Sequence, residues 1–527
     1  MEVISKVILN LANSDRFACS DSIYFFSWAE YEAHRSSARF CLCTYVSLGD
    51  TSFEWWAKTV DRHKKVYDEL VTLARARLTK IDQIQVNFTQ AEILVGNLCA
   101  VLAGRIARVE AQAAMLPSGC TLAGELKEIQ ISYPSTSSDS YLLLTSKAFD
   151  NLLEASLVGL AIGRHGSYRV IANQIPAGRT KTKNLLHHLY MLLSKAFFPL
   201  SRRSRVFVIG SYLGRFREAI LSLLLFQAPM LQEVRVDSEY LSHADPRKSR
   251  IEFCVTNREE LLAQLLVLLL PKALIIDTHL AVPELIARGW PKNPKVIFTS
   301  NNFDTDDDFK LYLASSRREV SYVVGQHGNN YGVTEESRRY PETWLGDKFL
   351  SWGRNTSKNS TSVGVIKPLP KRHFLRRSRS GLLLILRDPF WLVKWADMDL
   401  FNSLYYLKIA EVAQAALEGG VPVKIRPHSS TPASALELIK SLCSDIEQLT
   451  FSTGKSPLRA ESRRWLPVYT YDSTGMLELA AAGEEFLAFI PDGLDGIRPE
   501  YQDLYRHLKS AGVISEDVQT ATSSLLG

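Results

Sequence analysis

From about residue 200 the chain repeats one pattern: a short β-branched run, a small-residue turn, then an amphipathic helical stretch. "RVFVIGSYLGRFREAILSLLLF", "KVIFTSNNFDTDDDFKLYLASSRR" and "VSYVVGQHG" carry it first; "GLLLILRD", "VPVKIRPH" and "PVYTYD", with helical stretches between them, carry it again. Strands that alternate with helices pair in parallel, because the helix returns the chain to the starting edge. Between the two series, from about 353 to 380, "GRNTSKNSTSVGVIKPLPKRHFLRRSRSG" loses all periodicity and fills with Ser, Pro and basic residues. That texture marks a domain boundary. The expected architecture is therefore α/β, with domains at 1–365 and 378–527 and a cleft between them. A chain of 527 residues is also too long for one core to keep growing. Residues 1 to about 125 add long helical patterns such as "FEWWAKTVDRHKKVYDELVTLARARL". "LLAQLLVLLLPKALIID" (261–277) reads as a core helix followed by a buried strand; Pro271-Lys272 interrupts it, and it is too short to span a bilayer.

Charge and cysteine usage narrow the partners. The formal net charge is +6, from 62 basic and 56 acidic residues, too small and too spread to imply nucleic acid. Two local clusters, "SRRSR" (201–205) and "KRHFLRRSR" (371–379), read first as solvated linkers and second as phosphate or lipid contacts. Seven cysteines form no CxxC pair and no metal-spaced quartet, which fits a reduced compartment. The first residues, "MEVISKVILNLANSDRF", lack the basic end and long apolar run of a secretory signal. The expectation is a cytoplasmic protein, with peripheral association at the inner face of the membrane left open.

In open parallel sheets, ligands bind beyond the carboxyl ends of the strands, so those ends hold the candidate site residues. "VPVKIRPHSS" ends in Arg426 and His428, a fixed cation and a hydrogen-bond donor suited to phosphate, although a plain strand end fits equally well. "VYTYDSTGMLELAAAG" places Asp472 as an N-cap and Ser473, Thr474 and Gly475 at the positive end of a helix, a ready anion site or simple capping. Glu478, one turn on, is either a partner for ribose or sugar hydroxyls or a solvated glutamate. In "SYVVGQHGNNYG", an apolar strand delivers His327 to a tip flanked by Gly325 and Gly328. A lone histidine is usually structural. Here the glycines leave room for a ligand to approach the backbone, and Asn329-Asn330 build no core, so a proton-accepting role gains weight. Asp277 and His279 end another strand, while Asp304, Asp306, Asp307 and Asp308 precede a helix where acids serve as caps; a metal-binding reading of that run ranks below capping.

Taken in order, "DDDFKLYLASSRREVSYVVGQHGNNYG", "DKFLSWG", "KIRPH" and "YDSTGMLELAAAG" make the chain from roughly 205 onward resemble a family of surface-polysaccharide transferases found in O-antigen gene clusters. That family looks like a GT-B glycosyltransferase, distantly related to the transferases of CMP-activated Kdo and to polyol-phosphate polymerases. The resemblance implies two Rossmann-like domains flanking a cleft, with extra N-terminal helices. It also implies a nucleotide-sugar donor, preferably a CMP-sugar, and a lipid-linked or oligosaccharide acceptor, with no cofactor and no metal. Arg426, His428, Ser473 and Thr474 would hold the nucleotide phosphate; Gln326, His327 and Gly328 would face the reacting sugar. Two departures put loop geometry in doubt: "GEEFLAFIPDG" stands where the family usually has a Pro-Thr pair, and Ser429 follows the Arg-Pro-His where a proline is expected.

On this reading His327 accepts the proton of the attacking hydroxyl and the linkage inverts. A retaining enzyme would need a carboxylate nucleophile, for which Asp277 is the first candidate. The alternatives are polyol-phosphate transfer and a non-catalytic glycan- or nucleotide-binding component of a polysaccharide assembly complex.

Overall fold

The computed structural model describes residues 5–8, 22–26, 31–32, 42–82, 86–123, 128–163, 166–174, 195, 197–227, 247, 250–275, 278–317, 319–329, 331–353, 357–367, 379–390, 396–443, 447–453 and 458–526. The long helical pattern near the start forms the helix Ser52–Asp82, which packs along a second helix, Phe88–Ala113. Asn87 and Gln90 close a reciprocal capping box at the start of the second helix, satisfying two backbone donors that would otherwise be orphaned. This helix is buried along most of its length and sits within the larger apolar core.

The first α/β domain is built on five parallel strands. Val206–Val208, Val296–Thr299, Ser321–Gly325, Lys348–Ser351 and Ser360–Ser362 lie side by side in chain order. The last of them falls inside the segment expected to be an aperiodic boundary. Two smaller sheets precede or flank this one, a parallel set of Ser5–Ile8, Ser22–Phe25, Leu42–Tyr45 and Thr121–Ala123, and a mixed set of Glu128–Tyr133, Gly166–Gln174 and Arg250–Val255. The core helix anticipated after 261 is Arg258–Leu269, but no strand follows within residues 271–275. Pro271 has no N–H to give a ladder, and Lys272–Leu274 form a 3-10 turn whose N–H groups at Lys272 and Ala273 donate to the carbonyls of Pro134 and Ser135.

The second domain has six parallel strands. In chain order they are Leu382–Ile385, Val423–Arg426, Leu449–Phe451, Leu466–Tyr469, Leu487–Phe489 and Ile514–Ser515, and across the sheet they run 3-2-1-4-5-6. This is the doubly wound nucleotide-binding order, with its switch point between the first and fourth strands. The helix Met398–Glu418 ends at Gly419, and Gly420 takes the left-handed conformation (φ 73°) that a helix stop favours.

The two domains meet at several places. Glu335 N–H donates to Gly496 O at 2.9 Å and Arg498 N–H to Val333 O at 2.8 Å, around an antiparallel bridge between Thr334 and Ile497. On another side, the Tyr45 hydroxyl donates to Asp397 at 2.9 Å, and Trp55 meets Phe401 edge to face at 5.7 Å.

Candidate active site in the interdomain cleft

A cavity of about 600 Å³ opens between the domains, and both His327 and His428 line it. The second domain contributes Asp388 and Tyr471 to Thr474, the segments that follow its first and fourth strands. Those are the loops on either side of the switch point, where an open sheet leaves a crevice because successive connections leave to opposite faces. The first domain contributes the tip after Ser321–Gly325 together with Tyr212, Phe303, Asp304, Tyr331 and Glu342.

His327 stands among three rings, with centroids of Tyr331, Tyr212 and Phe303 at 5.1, 5.7 and 5.8 Å. Burial lowers its pKa below the ordinary 6.5, outweighing the Asp304 carboxylate and a main-chain hydrogen bond with Ser300, which favour the charged ring. The imidazole is therefore neutral near pH 7, as a proton acceptor must be. The Tyr331 hydroxyl lies 3.2 Å from His327 Nδ1 and 2.6 Å from Glu342 Oε1. The phenol thus bridges the imidazole and the Glu342 carboxyl group.

The neighbours of His327 serve the architecture. Gln326 is buried, its amide spanning the loop: Oε1 accepts from Trp352 N–H (2.8 Å) and Nε2 donates to Gly328 O (2.7 Å). It positions the tip and is not among the residues that line the cleft, both ends of its side chain being hydrogen-bonded within the fold. Gly325 is needed by the sheet, not by a ligand: a Cβ there would collide with Ser300 Oγ and reach within 3.0 Å of the Phe298 ring. At Gly328 a Cβ would stand 3.1 Å from Thr474 Oγ1, so this glycine lets the second domain approach.

That approach is a hydrogen-bonded seam. Asn329 N–H donates to Thr474 Oγ1 at 2.9 Å, and Asn329 Nδ2 donates to Asp472 Oδ1 at 2.6 Å, an oxygen that also accepts from the Tyr505 hydroxyl at 2.8 Å. Asp472 is thus no N-cap. The cap of Thr474–Ala482 is Ser473, whose hydroxyl accepts from Gly475 N–H at 3.1 Å. Burial pushes the Asp472 carboxyl up to about 6, against the two donors that favour its charge. Gly475 is required by the Tyr469 ring, two atoms of which would lie 2.7 Å from any Cβ.

His428 is oriented by a short polar chain: its Nδ1 is 2.6 Å from Ser430 Oγ, which donates to Asp388 Oδ1 at 3.0 Å. Arg426 does not line the cleft. It pairs with Glu461 at 2.5 Å, and the same carboxylate accepts from Lys424 (2.9 Å) and Ser452 (2.8 Å). A strand alternates its side chains between faces, and here the arginine falls on the side that Glu461 covers. Glu478 is paired with Lys367 at 2.6 Å, and it is Lys367 that lines the cleft, the sole Lys or Arg among its described lining residues. Sequence reasoning missed Lys367 because it lies in the stretch taken for a boundary. It also missed the wall of Tyr141, Tyr212 and Tyr340, whose positions share no local signature.

Asp277 lies outside the described residues, as does the His279 side chain. Of the acid run, Asp306 caps Asp307–Ser316 by accepting from Phe309 N–H, Asp307 accepts from Ser137 N–H at 2.8 Å, and Asp304 accepts from the Tyr141 hydroxyl at 2.6 Å. Among the described residues, no group of three or more His, Cys, Asp or Glu side chains converges to hold a metal ion.

Comparison with known proteins adds the following. No curated protein matches the chain. Among solved structures, TarM aligns with 44% of this chain and 49% of its own, so the chain spans about half of TarM, at 11% identity and a TM-score of 0.26. A mutant of the Thermobaculum terrenum O-GlcNAc transferase aligns over 88% of this chain and 90% of its own (11% identity, TM-score 0.34). CalG4, the calicheamicin glycosyltransferase, aligns over 66% and 88% (11% identity, TM-score 0.30). Residues 99–526 match the model of the LIC12162 family transferases, and the chain belongs to that family.

Proposed function

We propose that the chain is a GT-B-type glycosyltransferase that moves a sugar from a nucleotide donor, preferably a CMP-linked ulosonic acid such as Kdo, to a hydroxyl of a surface-polysaccharide or O-antigen acceptor. The observation that carries this reading is the convergence of a neutral His327 and the switch-point loops of a doubly wound sheet on one cleft. Its volume of about 600 Å³ suits a nucleotide sugar. The nucleotide sits on the second domain, its phosphate against His428, Ser473 and the start of Thr474–Ala482, where backbone dipoles favour an anion. Lys367 takes the role first expected of Arg426: it exchanges Glu478 for the phosphate as negative charge grows on the leaving group. His327 accepts the proton of the acceptor hydroxyl, giving inversion, and the reading calls for no metal. The tyrosines of the first domain offer apolar faces and hydroxyls to an acceptor sugar. The work is placed in the cytoplasm, at the inner membrane face.

A thermal-shift screen of CMP, CDP, UDP, GDP and dTDP tests the donor side. One nucleotide is expected to stabilise the chain, with the shift reduced in His428→Ala and kept in His327→Ala. Retained sugar transfer in His327→Ala would overturn the mechanism; no shift with any nucleotide would overturn the donor assignment.

A further inference from the structure

The helix Arg215–Leu224 faces the wrong way for a soluble protein. An amphipathic surface helix ordinarily turns its apolar stripe to the core and its polar face to water. Here Phe216, Ile220, Leu223 and Leu224 recur at positions i, i+4, i+7 and i+8, one continuous stripe, and all four are exposed, Phe216 at 79% and Leu224 at 71%. Off this stripe lie the polar Glu218 and Ser222 beside half-buried Ala219 and Leu221. Glu218 accepts from Ser211 N–H at 2.8 Å, and Ser222 is buried. Phe226 follows the helix with φ at +55°, a left-handed conformation that a bulky residue adopts only at a cost, and it is 63% exposed.

A basic patch adjoins the far end of this stripe. Ser204 Oγ donates to Leu225 O at 2.9 Å, tying the arginine-rich segment to the helix C-terminus. Arg202, Arg203 and Arg205 are exposed, the Arg202 guanidinium donating to the Ile286 and Ala287 carbonyls, and the main-chain carbonyls of Arg202 and Arg205 accept from the N–H groups of Lys292 and Lys295, whose side chains are exposed too. Arg217 adds an exposed cation beside the stripe itself. The near end of the helix follows Tyr212, which lines the cleft. Ten residues span roughly 15 Å, so cleft, apolar stripe and cationic patch succeed one another along one edge of the first domain. No helix among the described residues is long and apolar enough to cross a membrane.

We propose that this face is an interfacial docking surface for an anionic lipid bilayer. Phe216, Ile220, Leu223, Leu224 and Phe226 enter the headgroup–acyl boundary while the arginines and lysines meet lipid phosphates, the combination that holds a helix in a membrane surface without spanning it. A bilayer is favoured over a protein partner because the stripe is bordered by cations and lies in a single helical face. The orientation also sets the cleft mouth beside the membrane. The inference goes beyond sugar transfer, and its test reads lipid binding alone.

The test is co-sedimentation of the full chain with vesicles of phosphatidylcholine alone or mixed with phosphatidylglycerol, whose anionic headgroups attract basic surfaces, beside light scattering of the protein by itself. Binding to the anionic vesicles is expected, weakening as salt is raised. Phe216→Ser with Leu224→Ser should reduce partitioning roughly tenfold or more, and Arg203→Glu with Arg205→Glu should abolish the preference for anionic lipid. Both pairs are exposed, and circular dichroism melting checks that they fold. Failure of the wild-type chain to bind anionic vesicles, equal binding by the Ser pair, or a dimer that the Ser pair dissolves would each overturn the proposal.

Discussion

Replacing Asp472 by Asn should stabilise the protein at neutral and alkaline pH, although it removes a charge from a candidate site. The Asp472 carboxyl is pushed from an ordinary 3.8 to about 6 by burial at the domain seam. A carboxyl raised in this way binds its proton more tightly folded than unfolded. Its contribution is fully present below about pH 4 and is lost as pH rises through about 6. Above that the ionised group costs up to roughly 3 kcal/mol, from 1.36 kcal/mol for each pH unit between the two values. Asn keeps an oxygen for Asn329 and Tyr505, but it puts an amide donor where Oδ2 is buried without a partner among the described residues. That orphan donor costs about 1 kcal/mol. The net expectation is a gain of about 1–2 kcal/mol at pH 8, vanishing or reversing near pH 4. Urea unfolding at both pH values, followed by tryptophan fluorescence, reads the difference. An Asn variant no more stable than wild type at pH 8, or equally shifted at pH 4 and pH 8, would refute the assignment of a buried charge to this seam.

Other outcomes follow from the same geometry. His327→Ala should lower kcat by about 10² to 10⁴ with the donor KM little changed; in the wild type, kcat/KM should fall on the acid side only below pH 6.5, since burial depresses this imidazole. Lys367→Ala should raise the donor KM about 10- to 100-fold by removing a charge-assisted contact, whereas Arg426→Ala, already tied to Glu461, should change it less than about threefold; the reverse order in steady-state kinetics would return the phosphate to Arg426. Gly475→Ala should destabilise by about 1–3 kcal/mol through overpacking against Tyr469, seen as a lower urea midpoint.

The alternation of strand and helix was legible because both periodicities are local, and so was the tip that carries His327, where apolar residues give way to glycines within a few positions. What failed was nonlocal. Arg426 looks like a free cation until Glu461, thirty-five positions on, folds over it. Gln326 looks like a ligand-facing amide until Trp352, just past the neighbouring strand, supplies a donor. The strand Ser360–Ser362 escaped notice because an edge strand with exposed residues needs no apolar run. Lys367 escaped with it, since a residue between domains has no pattern of its own, only a location. The order 3-2-1-4-5-6 is likewise a property of pairing, which no window of sequence displays.

The loop that presents His327 is also the loop that clasps the opposite lobe, through Asn329 to Thr474 and Asp472. Any parting of the lobes wide enough to break that clasp must pull on the backbone two residues from the imidazole. On the proposed mechanism, gating and proton transfer share one short piece of chain: with the lobes parted the proposed base is out of place, and water that enters then finds no competent catalyst.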